Sequence, residues 1–116
     1  MAYDEFLADR VKNILDQKKV LYTEKKMFGG IAYMVDEKMC VGITKEKLMA
    51  RVNPDFYDQA LEKLGSTEMN FTGKIMKGFL FIEPLGIEME DDLEFWVQKC
   101  LDFNPLAKSS KKKKKS

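Results

Sequence analysis

With 116 residues, 45% of them hydrophobic, the chain is long enough for one domain with one core, and it contains no histidine, which excludes Ser–His–Asp and Cys–His catalytic units and the commonest metal ligand. The net charge of +1 conceals an acidic body: without the six lysines at 108 and 111–115, residues 1–107 hold 14 basic against 19 acidic residues, a poor surface for gripping phosphates broadly. No window of about 18 apolar residues offers a membrane span, and the acidic start MAYDEFLADR is not a secretory signal, so the expected location is cytoplasmic, with no membrane contact.

Residues 3–18 predict a helix, because Leu7, Val11, Ile14 and Leu15 recur at three- and four-residue spacing, with Asp9, Arg10, Lys12 and Asp16 on the remaining arc. From Lys26 to Val35 the side chains alternate as in a strand, with Gly29-Gly30 forming a bulge or sharp bend within it. Turns at 36–38 and 44–47 lead into MCVGI and LMARV, completing a three-stranded meander. In its last strand Leu48, Ala50 and Val52 face one way and Met49 and Arg51 the other. The run NPDFYDQALEKLG marks a second helix, with Asn53 as N-cap, Pro54 at the first position, Gly65 as stop, and Tyr57, Ala60, Leu61 and Leu64 as its buried stripe. A short extended piece at Met69–Phe71 passes through a turn containing Gly73 into a strand at Phe79–Ile82. The last helix, EDDLEFWVQKCLDF, places Leu93, Trp96, Val97, Cys100 and Leu101 on one face and Asp91 and Asp92 at its positive end. The order α-β-β-β-α-β-β-α lacks regular strand–helix alternation. It predicts an α+β, two-layer domain over 1–107, an antiparallel sheet with helices against one face, followed by a disordered lysine-rich tail at 108–116.

Few residue sets carry chemistry. A phosphate cradle at Gly29-Gly30 would need a helix N-terminus directly after the glycines, but the strand-like IAYMV follows, so the pair serves the shape of the backbone. Cys40 and Cys100 lie in unlike surroundings and read as free thiols packed as small hydrophobes. The acidic run EMEDDLE, Glu88 to Glu94, invites a cation site, yet its place before a helix makes dipole complementation the simpler account. The eight methionines read as core filler. The segment FTGKIMKG combines an aromatic, two cations and turn glycines. Phe71, Lys74, Met76, Lys77 and Gly78 are therefore a candidate interaction or anion-contact loop, against the plainer reading as a solvated hairpin connection. No catalytic, metal-binding or cofactor-binding set emerges, and no cofactor is expected.

The pieces EKKMFGGIAYMV, LMARV, FTGKIMKGFLFI and LEFWVQKCLDF together resemble the N-terminal domain of the TfoX competence-regulator family, over roughly residues 3–104. The resemblance implies a bacterial protein with this α+β order and a regulatory or protein-interaction role without catalysis. Longer members carry a second, helical domain and act as positive regulators of DNA-uptake genes alongside a transcription activator; at that place this sequence has its lysine tail. Met27, Phe28, Gly29, Gly30 and Gly73 match the family signature, whose role reads as structural. The residues leave other readings open. Lys111, Lys112, Lys113, Lys114 and Lys115 could give weak, sequence-independent nucleic-acid contact. A pocket near Gly29-Gly30 and the 71–78 loop could serve a small-molecule binder or an enzyme using carboxylate or lysine chemistry. An exposed strand edge would allow a homodimer, although lysines near the strands discourage pairing.

Overall fold

Asp4 opens the first helix by accepting the backbone N–H groups of Phe6 at 2.9 Å and Leu7 at 3.2 Å, which satisfies donors that a helix start otherwise leaves unpaired. The helix, α1 (Glu5–Gln17), buries Leu7, Ala8, Val11, Ile14 and Leu15, the stripe expected from the spacing. The structure, a computed structural model, describes residues 3–27, 29–71 and 74–106, with the backbone alone described at 27, 70, 71 and 74–77. The residues singled out at Phe28, Gly73 and Lys111–Lys115 lie outside those described.

Six strands follow: β1 (Thr23–Met27), β2 (Gly30–Val35), β3 (Lys38–Thr44), β4 (Lys47–Arg51), β5 (Ser66–Phe71) and β6 (Lys74–Ile82). They form one sheet in the order β1-β2-β3-β4-β6-β5, and every neighbouring pair is antiparallel. The fold is thus α+β, as expected, but the segment 26–35 is two strands where a single bent one was expected. Met27 pairs with Gly30, so the chain reverses between them, and the paired glycines divide that work. Gly29 has φ +73° with nothing near its Cβ position, whereas a Cβ on Gly30 would overlap the Ile43 carbonyl oxygen and lie 2.8 Å from the Thr44 Cα. One glycine permits the turn; the other lets two strands approach. The bulge itself lies further on, where Tyr33 pairs with Val41 and Met34 with Met39. The extra residue, Cys40, joins Val41 in the helix-side core.

A second helix, α2 (Tyr57–Leu61), follows a 3₁₀ turn at Pro54–Phe56, and the Asn53 side chain caps that turn by accepting from the Asp55 N–H at 2.8 Å. Leu64, expected in the buried stripe of this helix, is 66% exposed. The helix ends at Leu61, and Gly65, at φ +84°, turns the chain away before Leu64 can return to the core. The last helix, α3 (Glu90–Phe103), buries Leu93, Trp96, Val97 and Cys100 as expected.

The three helices pack on one face of the sheet: α1 on α3 and β3, α2 on β5 and β6, and α3 on β3 and β4. Trp96, Tyr33, Leu15, Ile43, Leu48, Leu80, Ile82 and Leu93 form the centre of that layer. Strand alternation sends a second set to the opposite face, where Ala32, Met34, Met39, Met49 and Met69 pack together with half-buried Phe79 and Phe81 against them. Four methionines thus make a separate small core.

Candidate functional site

The segment joining β6 to α3 and the turn after α2 meet at one corner. The Glu83 N–H donates to the Gly65 carbonyl at 2.7 Å, and a Cβ on Gly65 would sit 2.7 Å from the Gly86 nitrogen, so two glycine backbones cross in contact. That crossing leaves the neighbouring side chains outside: Leu64, Leu85 and Met89 are 66%, 57% and 65% exposed. Beside them, Lys63, Leu64, Gly86, Asp91, Asp92, Phe95 and Trp96 line a cleft of about 430 Å³. Phe95 forms its aromatic wall. It stands edge-on to Trp96 with centroids 5.3 Å apart, with the Lys63 ammonium 4.4 Å and the Lys99 ammonium 5.6 Å from its ring centroid, cation–π geometry that holds both lysines over the ring. A separate cleft, of about 280 Å³, is lined by Phe56, Lys99, Asp102 and Phe103 among others. The periodicity missed Phe95 because it lies at the margin of the α3 stripe; its spacing from Lys99 (i, i+4) was the available signal.

The acids around this corner are structural partners as well as a charged rim. Glu90, Asp91 and Asp92 occupy the first turn of α3, which has no side-chain cap, and their charge complements the exposed N–H groups there. Arg10 of α1 ties the same segment down, donating to the Ile87 carbonyl at 2.9 Å and the Glu88 carbonyl at 3.3 Å, and pairing with Glu90 at 3.3 Å. Lys18 pairs with Glu94 at 3.1 Å. Among the described residues no group of three or more Cys, Asp or Glu is placed to hold a metal ion.

Other residues singled out by the sequence fall as follows. The candidate loop at 71–78 is the β5–β6 hairpin, with Phe71 pairing Lys74 and the following residues running along β6; the side chains of Phe71, Lys74, Met76 and Lys77, like that of Met27, lie outside those described. Gly78 has φ +94°, and its carbonyl accepts the Val52 N–H at 2.8 Å. Gly78 is thereby joined to the chain just past the end of β4. Cys40 and Cys100 are both buried and free. Burial pushes the Cys40 thiol up to about 12, Arg51 pulling the other way, and burial raises Cys100 well above its usual range. A thiolate nucleophile needs the opposite environment.

These elements define a small antiparallel α+β domain with helices on one face and an acid-rimmed, partly apolar corner. The model of the TfoX N-terminal domain matches residues 17–104, and the chain belongs to that family. No curated protein and no solved structure matches it. Among the described residues, no helix is long and apolar enough to cross a membrane.

Proposed function

We propose that the domain is a non-catalytic regulatory module that acts by binding another protein, and that the corner around Leu64, Leu85 and Met89 is where it binds. The observation that carries this reading is the exposure of three large apolar side chains beside a cleft walled by Phe95 and Trp96 and rimmed by Asp91 and Asp92. Water contact with exposed apolar surface is unfavourable, and burial in an interface removes it. The partner's chemistry is an apolar anchor with a basic group for Asp91 and Asp92, since Lys63 and Lys99 are already held over the Phe95 ring. Family membership supports a regulatory setting, with a transcription activator of a bacterial cytoplasm as the class of partner.

The test compares capture by the full chain with capture by a Leu64→Ser/Leu85→Ser/Met89→Ser chain, at micromolar bait in a bacterial lysate. All three residues are exposed, so the variant keeps its fold. A protein retained by the parent and lost from the variant is the expected result. Identical capture by both chains would refute this assignment of the surface.

A further inference from the structure

The net negative charge of the body is not spread evenly. The acids of the described helices and of β1 and β5 lie on the helix side: Glu24 pairs with Tyr33 and Glu68 with Leu80, and both partners belong to the helix-side core. On the opposite face, Lys25 pairs with Ala32 of the methionine cluster, and Lys47 and Arg51 alternate with Met49 along β4. Among the described strand residues that face carries these three cations and no acid; Glu83, just past β6, pairs with Lys47 at 3.4 Å. The same face carries two aromatic rings, each with a cation against it: Lys47 lies 5.2 Å from the Phe81 centroid and Arg51 lies 5.1 Å from that of Phe79.

We infer that this helix-free face binds single-stranded nucleic acid. Single strands are held by cations that follow the phosphates and by aromatic or guanidinium planes on which bases stack. Here Phe79 and Phe81 are two residues apart on β6, so both project to one side. Arg51 sits opposite Phe79 and Met49 opposite Phe81, which puts cation and ring in adjacent rows. From β1 to β6 the face spans four strand spacings, roughly 19 Å at about 4.8 Å each. A strand running across it would meet Lys25 at one side and the Arg51–Phe79 and Lys47–Phe81 pairs at the other. The Arg51 guanidinium also donates to the Met39 carbonyl at 3.4 Å, which fixes its plane. A duplex would offer phosphates but no unstacked bases, so the rings select for single strands. The acidic helix layer repels the ligand and confines it to this side. This surface is distinct from the lysine tail.

The experiment measures fluorescence anisotropy of a labelled oligo-dT in low salt, using the full-length chain with Lys108 and Lys111–Lys115 replaced by serine, so that the tail is silent. That protein is expected to bind. Phe79→Leu and Phe81→Leu, which keep an apolar side chain, are each expected to weaken binding about tenfold, as the loss of one stacked base does. The double variant Lys25→Ala with Lys47→Ala, on the exposed edge strand β1 and on half-buried β4, is expected to reduce the slope of log K against log salt by up to about 1.4, two phosphates at roughly 0.7 each. This variant decides the matter should either Phe variant lose its fold. No binding by the tail-neutral chain, equal binding by folded Phe variants, an unchanged salt slope, or equal competition by duplex DNA would each overturn the inference.

Discussion

Replacing each of the two adjacent glycines by alanine separates backbone geometry from ligand binding. At Gly29 the cost is conformational: φ is +73° with open space around the Cβ position, and an L-residue in that region costs about 1–2 kcal/mol. Reduced freedom of the unfolded chain returns about 0.4–1 kcal/mol, so Gly29→Ala should destabilise by about 1 kcal/mol, and Gly29→Asn by less. At Gly30 the cost is steric. A Cβ would overlap the Ile43 carbonyl oxygen and lie 2.8 Å from the Thr44 Cα, and since both are backbone atoms, a strand has to move. Overpacking of that kind costs about 1–3 kcal/mol, and here the upper end applies because no side chain can rotate away. Urea titrations followed through Trp96, the single tryptophan and 1% exposed, would give both values. For a domain near this size, about 1 kcal/mol shifts Tm by roughly 4–8 °C. Gly30→Ala should therefore lower Tm clearly more than Gly29→Ala. If both variants melted with the parent, the glycines would have no architectural role here and the ligand reading would return.

The remaining expectations concern the core and its ties. Because burial raises Cys40 from 9.0 to about 12, the folded chain holds a proton that the unfolded chain loses above pH 9. Its stabilising effect is complete below that point and is lost as pH climbs to about 12, by about 1.4 kcal/mol per pH unit. Denaturant titrations at stepwise alkaline pH should show that slope diminished in Cys40→Ala, and an unaltered slope would contradict the burial argument. Arg10→Ala removes two backbone hydrogen bonds and an ion pair from the entry to α3 and should cost about 1–3 kcal/mol. Lys12→Ala breaks only long contacts to Asp9 at 3.7 Å and Glu24 at 3.9 Å and should lie within about 0.5 kcal/mol of the parent; equal losses would show that Arg10 acts as a surface charge. Met49→Ala should cost about 2–5 kcal/mol by calorimetry, since Met49 is completely buried on the helix-free side; a neutral result would mean that the methionine cluster is not packed.

Periodicity and punctuation made most of the fold legible. The stripes of α1 and α3, the alternation along β4, and the Asn53 cap all depend on local chemistry that a single sequence displays. What escaped depends on contacts between distant segments. The reversal between Met27 and Gly30 looks like a bend, because alternation continues on both sides and only the pairing of β1 with β2 reveals a hairpin. Leu64 fits a helical stripe until the contact of Gly65 with Gly86 shows that the chain has left the helix. The candidate surfaces escaped for the same reason. Exposure of Leu64, Leu85 and Met89 is a property of a three-segment corner, and Lys47, Arg51, Phe79 and Phe81 converge only once β4 is beside β6.

The sheet resolves a conflict that net charge alone creates. Acidic residues in excess should repel nucleic acid from the body, yet strand alternation gives each face its own charge balance, and β4 contributes Lys47 and Arg51 to one face while Leu48 and Ala50 serve the other. A single residue of register slip in β4 would exchange those sets, burying cations under the helices and exposing leucine. The charge pattern is thus held in place by the hydrophobic core. It follows that the two proposed surfaces do not compete: the acid-rimmed corner belongs to the helix layer and the cation–ring face to the other side of the sheet. A protein bound at the first leaves the second open, and oligo-dT should bind the tail-neutral chain with equal affinity whether or not Leu64, Leu85 and Met89 are replaced by serine.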